Sequence, residues 1–305
     1  MKIIIKLLLV IFLFVTCSKD EDTFCSDSRY TCIPDKIFEQ SLIELGIDRF
    51  PIINGRVLTS DVSGITELDL RYKSIYDLDF REKGISDLTG IENFVSLTWL
   101  RCGNNQLTSL DVSKNTSLTY LSCSGNQLTS LDVTNNTSLE ELFCFSNQLT
   151  SFDVSNNTSL YSLGCFNNQL TSLDVTNNTS LKYLGCSGNQ LTSLDVSNNT
   201  SLTELSCRRN QLTSLDVSNN TSLTNLWCGS NQLTSLNISN NTSLTWLWCS
   251  VNQLTSLDVS NNTSLGHLEC ESNPLTCIKV NQTQLDNIPT NWKKDPEDTY
   301  SLDCN

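Results

Sequence analysis

A cysteine recurs every 21 residues, nine times in succession: Cys102, Cys123, Cys144, Cys165, Cys186, Cys207, Cys228, Cys249 and Cys270. Each sits in the frame L-x-x-L-x-C-x-x-N-x-L, as in Leu118-Thr-Tyr-Leu-Ser-Cys-Ser-Gly-Asn-Gln-Leu128. A fixed period near twenty leaves few folds open. The chain winds one coil per repeat, and each coil buries its apolar side against its neighbours. No coil can do this alone, so both ends need caps. Nine coils at roughly 4.8 Å each give a body about 40 Å long.

The other half of each coil follows the same grammar. Leu128-Thr-Ser-Leu-Asp-Val-Thr-Asn-Asn136 reads L-x-x-L-x-V-x-x-N. This unit resembles the nested 21-residue bacterial leucine-rich repeats of the IRREKO class. The resemblance covers residues 97–276 strictly and 65–96 loosely. Residues 85–97, ISDLTGIENFVSL, are more similar to the internalin type. The implied fold is a leucine-rich-repeat solenoid of stacked parallel β strands with little helix. The ligand is not implied, because function lies in sites grafted on folds.

In both halves the apolar positions alternate with polar ones, the pattern of a strand with one face inward. Leu121 and Cys123 point in, and so do Leu131 and Val133. Two asparagine columns follow the strands, Asn105 to Asn273 and Asn115 to Asn262. An amide both donates and accepts, so it can satisfy backbone groups where a coil turns. The nine periodic cysteines read as small buried hydrophobes. They are odd in number and lack a C-x-x-C pair or matching histidines, so no metal and no cofactor is expected. Cys25, Cys32, Cys277 and Cys304 lie outside the column and are the disulfide candidates, one pair for each cap.

The N-terminus places two lysines before a short apolar run and then Cys17. Residues 1–16 read as a signal peptide, too short for a membrane span. The start resembles a lipoprotein signal, which implies acylation at Cys17. The acidic Ser18-Lys-Asp-Glu-Asp22 resembles the tag that sends lipoproteins of the Bacteroidota to the outer surface. Residues 17–23 are then a lipidated tether and 24–64 an N-terminal cap. Within that cap, Asp35–Gly46 has helical spacing and a glycine stop. Irregular repeats fill 65–96, regular repeats 97–276, and a C-terminal cap with Trp292 fills 277–305. The sequences around Ile33-Pro34-Asp35 and Thr276-Cys277-Ile278 are similar to caps on bacterial surface repeat proteins.

Comparing the repeats locates the variation. The Val half recurs nearly verbatim, whereas the Cys half changes at its outward positions. Those positions carry Trp99, Tyr120, Phe143, Phe145, Phe166, Tyr183, Arg208, Trp227, Trp246 and Trp248. In leucine-rich repeats this strand face is the concave one. One aromatic cluster gathers Tyr120, Phe143, Phe145 and Phe166, and another gathers Trp227, Trp246 and Trp248. A contiguous exposed aromatic patch marks a binding surface. The alternative is that the rings merely stack on cross-strand neighbours.

The constant face carries an aspartate column, Asp111, Asp132, Asp153, Asp174, Asp195, Asp216 and Asp258, broken by Asn237. Flanking hydroxyls and turn N–H groups are the expected partners. The column lacks the glycine-rich spacing of calcium solenoids. Catalysis has no motif here: the one histidine, His267, faces outward beside Glu269, and no nucleophile elbow or phosphate loop is present. A net charge of −14 argues against nucleic acid. These features predict a monomeric, non-enzymatic adhesion or recognition protein, lipid-anchored at the bacterial outer membrane. It would bind a protein or a glycan on the concave face. A ligand-free surface-layer spacer and a glycan-capture lipoprotein of an uptake system are the alternatives.

Overall fold

The computed structural model describes residues 27–71 and 84–304. The expected signal peptide, Cys17, the tether and Cys25 lie outside the described residues. Eleven short strands form one parallel sheet, Glu67–Asp69 at one edge, then Trp99–Arg101, and on to His267–Glu269 and Trp292–Lys293 at the other. The strands between start at Tyr120 and recur at the 21-residue period. Each pairs with the next coil in strict register, Leu100 opposite Leu121 and Leu226 opposite Leu247. Each central leucine from Leu100 to Leu268 is buried completely and its flanking residues face the other way. The cysteine just past each strand continues the pairing, with the Cys102 N–H donating to the Ser122 carbonyl at 2.9 Å.

The Val half departs from its strand pattern. Only Leu257–Asp258 is a strand, pairing with Cys277–Lys279 and through it Thr299–Ser301, apart from one bridge between Asp111 and Asp132. The reason lies in the side chains that interrupt the ladder. Each aspartate folds back to accept the N–H two residues on, as Asp195 does from Ser197 at 2.9 Å. Each column valine carbonyl from Val112 to Val217 is taken by an asparagine amide of the following coil, as Val175 is by Asn199 at 2.9 Å. Side-chain partners therefore replace the strand partners, while the inward positions Leu131 and Val133 stay buried.

The two asparagine ladders divide the work unequally. In the first, Asn189 Nδ2 donates to the carbonyls of Cys165 and Cys186 at 3.1 and 2.9 Å, and its Oδ1 accepts the Leu170 N–H at 3.0 Å. In the second, Asn199 Nδ2 bridges the carbonyls of Val175 and Asn178, each at 2.9 Å, but its Oδ1 is buried without a partner. Gln284 closes this second ladder. Its Nε2 donates to the carbonyls of Val259 and Asn262 at 3.0 and 3.2 Å, where the next asparagine of the column would reach.

The caps seal the apolar ends. The helix Lys36–Glu44 begins at Asp35, whose Oδ1 accepts the N–H groups of Ile37 and Phe38. Its Oδ2 accepts from the Ser86 N–H, the Ser86 hydroxyl and the Asp87 N–H, tying the cap to the first coil. Burial pushes this carboxyl up, but those bonds outweigh it and hold the pKa below the usual value. The helix is shorter at both ends than its sequence pattern, because Leu45 and Gly46 belong to the closing turn. At the far end Trp292 is buried and donates Nε1–H to the Leu265 carbonyl at 3.1 Å. Cys277 and Cys304 are joined in a disulfide, and Cys32 is also disulfide-bonded.

Candidate recognition surface

Three columns of side chains project from the sheet on the side away from the core. They come from the third and fifth positions of each Cys half and from the residue after the cysteine. The strand alternation forces this, since the leucine between them points in. Every aromatic residue on this face is half-buried rather than free. The rings stack on one another across coils. Trp99 and Tyr120 lie 5.1 Å apart between centroids, Tyr120 and Phe143 5.8 Å, and Phe145 and Phe166 4.2 Å at an angle of 8°. Trp227 meets Trp246 at 6.3 Å, and Trp246 stacks on His267 at 4.5 Å.

Glycines provide the seats. A Cβ at Gly164 would come within 2.9 Å of the Phe143 ring, and one at Gly185 within 2.5 Å of the Tyr183 hydroxyl. A Cβ at Gly229 would meet Trp248 at 2.9 Å. Tyr183 thus folds along its own strand, while Phe143 and Trp248 lie across a neighbouring coil. Within the expected clusters the contacts are uneven. Trp99 stacks on Tyr120, which meets Phe143 at a tilt of 50°, and Phe145 stacks on Phe166. Trp248 is no open platform, because one side rests on Gly229 and the Arg208 guanidinium lies 3.4 Å from its centroid. His267 completes the tryptophan stack and was not among the residues picked from sequence, although it occupies the same third-position column.

Arg101 is a second such residue, outward in sequence and joined to the aromatic column in the structure. Its guanidinium lies 4.3 Å from the Trp99 ring centroid and 5.2 Å from that of Tyr120. Its Nε–H donates to the Tyr120 hydroxyl at 3.3 Å. Arg71, Arg101, Tyr120, Ser122, Phe143 and Phe145 contribute to a shallow concavity of about 360 Å³ at this end of the face. At the other end, burial, with Arg209 adding to it, pulls the Arg208 guanidinium below its ordinary pKa, while Glu269 opposes the shift. Two donors here, Trp246 Nε1 and Arg208 Nε, are buried without an acceptor. At the margin, the Tyr161 hydroxyl donates to Glu141, which pushes the tyrosine up to about 12.

The nine column cysteines are free and buried. Desolvation pushes Cys123, Cys165 and Cys207 up to about 12 and raises the others too. A thiolate nucleophile is disfavoured there. Among the described residues no group of histidine, cysteine and carboxylate side chains is arranged to hold a metal ion. Each described aspartate of the constant column is held below its usual pKa by the hydroxyl and N–H of the serine or threonine two residues on, as at Asp132 and Asp195. Among the described residues no helix is long and apolar enough to cross a membrane.

The family model for Leucine Rich repeats (2 copies) matches residues 95–136, 116–157 and 179–219. The functional domain of InlJ from Listeria monocytogenes, whose structure includes a cysteine ladder, is 37% identical with a TM-score of 0.73. The match covers 82% of this chain and 56% of that one. The chain carries leucine-rich repeats and is similar to the internalins. The chain spans little more than half the length of that Listeria relative. The internalin InlF from the same species matches at 20% identity and a TM-score of 0.51, covering 90% of this chain and 97% of that one, which bears on the fold alone. So does the ectodomain of the Arabidopsis thaliana receptor kinase GASSHO1/SCHENGEN3, solved in complex with CASPARIAN STRIP INTEGRITY FACTOR 2, at 24% identity and a TM-score of 0.63, covering 80% and 32%. No curated protein matches the chain. Internalin-type leucine-rich-repeat proteins are typically interaction and adhesion domains, and a repeat scaffold suits that work because stacking extends one surface over many coils.

Proposed function

We propose that this protein is a non-enzymatic recognition or adhesion module of the bacterial cell surface. It binds a macromolecular partner on the outward face of its sheet, and an acylated Cys17 anchors it in the outer membrane. One observation carries the reading: sequence variation is concentrated in the Cys half, whose three outward columns carry the large aromatic and arginine side chains, against a nearly invariant Val half. A frame under packing demands alone would leave those columns free to be small and polar. Instead they hold four of the chain's five tryptophans and its one histidine: Trp99, Trp227, Trp246, Trp248 and His267. The spacer reading draws on the mutual stacking of those rings, so the test must separate binding from stability.

The test is Trp246→Ala with Trp248→Ala, assayed for binding to panels of immobilised extracellular proteins and glycans and for melting temperature. Loss of an aromatic anchor costs an interface about 2 kcal/mol or more, roughly thirtyfold in affinity. Because the rings are half-buried and stacked, the variant is also less stable, by about 0.5–1.5 kcal/mol per broken pair, and melts lower. Lost binding in a folded variant supports the recognition face. Unchanged binding removes the site from this end of the sheet, and the same outcome for Phe145→Ala with Phe166→Ala rejects the face. Cys17→Ala releases the protein from the membrane fraction if the anchor is correctly assigned.

A further inference from the structure

Arg101 and Arg208 occupy similar settings near opposite ends of the face. Each guanidinium is held over aromatic rings, Arg101 on Trp99 and Tyr120 and Arg208 on Trp248. Neither is in an ion pair among the described residues. What sets these two apart in a chain of net charge −14 is that each is held over rings of this face without a carboxylate partner. Arg29, Arg49, Arg71, Lys279 and Lys293 all pair with carboxylates within 3.1 Å. Glu269, the acid that acts on Arg208, is already paired with Lys293 at 3.0 Å. Glu141 is engaged by Tyr161, and Glu204 stands beside Tyr183. Arg208 is further fixed through its backbone, whose N–H donates to Ser187 Oγ at 3.1 Å, itself 2.7 Å from Ser206 Oγ. Exposed Arg209 adds a second positive charge next to it.

A guanidinium pinned against a ring is pre-organised, so it loses little freedom on binding an anion. Its planar fork suits a carboxylate. The ring faces that a sugar would stack on are largely covered: Trp248 by Gly229 and Arg208, Trp246 by His267, and Phe145 by Phe166. What the surface offers instead is two cations with ring edges between them. The five coils from Arg101 to Arg208 span roughly 24 Å at about 4.8 Å per coil. That is the length of about 16 residues of helix.

Resting on the recognition-face reading, we propose that the partner is an acidic protein segment that bridges Arg101 and Arg208. It places a carboxylate on each arginine and apolar side chains over Phe143, Phe145, Phe166 and Tyr183. The geometry makes the recognition bipartite, so the spacing of the acids matters as well as their number.

The probe is a fluorescein-labelled helical peptide with two glutamate pairs about 24 Å apart and leucines between, measured by anisotropy against the intact protein. A second peptide sets the pairs about 10 Å apart, and heparin and hyaluronate supply polyanions of another class. The expected result is binding of the long-spaced peptide that weakens as salt rises. Arg101→Gln and Arg208→Gln each weaken it about tenfold, the double variant abolishes it, and Lys114→Gln, a cation off this face, leaves it unchanged. The short-spaced peptide binds no better than the long one does to a single variant. Equal binding of both peptides, equal loss with Lys114→Gln, tighter binding of heparin or hyaluronate, or no binding of the long-spaced peptide overturns the proposal. Should Trp246→Ala with Trp248→Ala abolish binding on the protein and glycan panels while the double arginine variant binds normally, the face stands and the bridge is wrong. If neither variant affects that binding, both readings fail.

Discussion

At the residue scale, the two asparagine columns look identical in sequence and differ in what they hold. Removing Asn189 orphans the Leu170 N–H, which has no other acceptor, whereas the carbonyls it served keep further partners. Removing Asn199 orphans neither carbonyl, since Val175 and Asn178 also accept the N–H groups of Asn178 and Leu181, and it removes an unpaired buried Oδ1. An unsatisfied buried donor costs about 1–3 kcal/mol. Asn189→Ala therefore destabilises by about that much and Asn199→Ala by less, in chemical denaturation, with faster amide exchange at Leu170 in the first variant only. A second prediction concerns a left-handed position. The second residue past each cysteine has positive φ in every coil, from Asn104 at 56° to Ser272 at 58°. Val251 holds φ of 59° there with a β-branched, exposed side chain. The left-handed region costs such a residue about 1–2 kcal/mol. Val251→Gly, matching Gly125 and Gly188 in the column, raises the melting temperature, and a lowered melt rejects the strain.

At the element scale, the cysteine column should govern alkaline stability. Burial raises these thiols from an ordinary 9.0, to about 12 at Cys123. Below pH 9 both folded and unfolded thiols are neutral and their contribution is fully present. Above it only the unfolded chain ionises, so stability falls as pH rises toward 12, by about 1.4 kcal/mol per thiol per pH unit. The melting temperature drops steeply between pH 9 and 11, and Cys165→Val with Cys186→Val makes the slope shallower. A slope unchanged by those substitutions contradicts the buried-thiol account. The strands themselves were legible, because period-2 alternation inside a 21-residue period fixes which leucine points in. The Val half alternates like a second strand column and buries its inward residues, yet it is not one, because Asp and Asn side chains capture the backbone groups that strands would share. The positive-φ position was also missed, since its column mixes Gly and Asn with Ser, Arg and Val.

At the scale of the whole molecule, the repeat determines the frame and leaves the face undetermined. Which residues project from the sheet could be read from the variable positions, but not how they lie. Trp248 reads as a platform in sequence and serves as a shelf for Arg208, because Gly229 on the preceding coil lets the indole fold flat. Such cross-coil contacts join residues 19 to 40 positions apart, and no local pattern encodes them. The central claim is that this face binds and the opposite side only supports it. Two block variants of the intact protein test it by adhesion of protein-coated beads to epithelial and bacterial surfaces. One replaces Trp227, Trp246 and Trp248 with serine, and the other replaces exposed Thr192, Ser193, Thr213 and Ser214 with alanine. The account predicts that adhesion falls at least about tenfold in the first and is retained in the second, with both variants folded by circular dichroism. Adhesion retained by the first variant, or lost by the second, contradicts it.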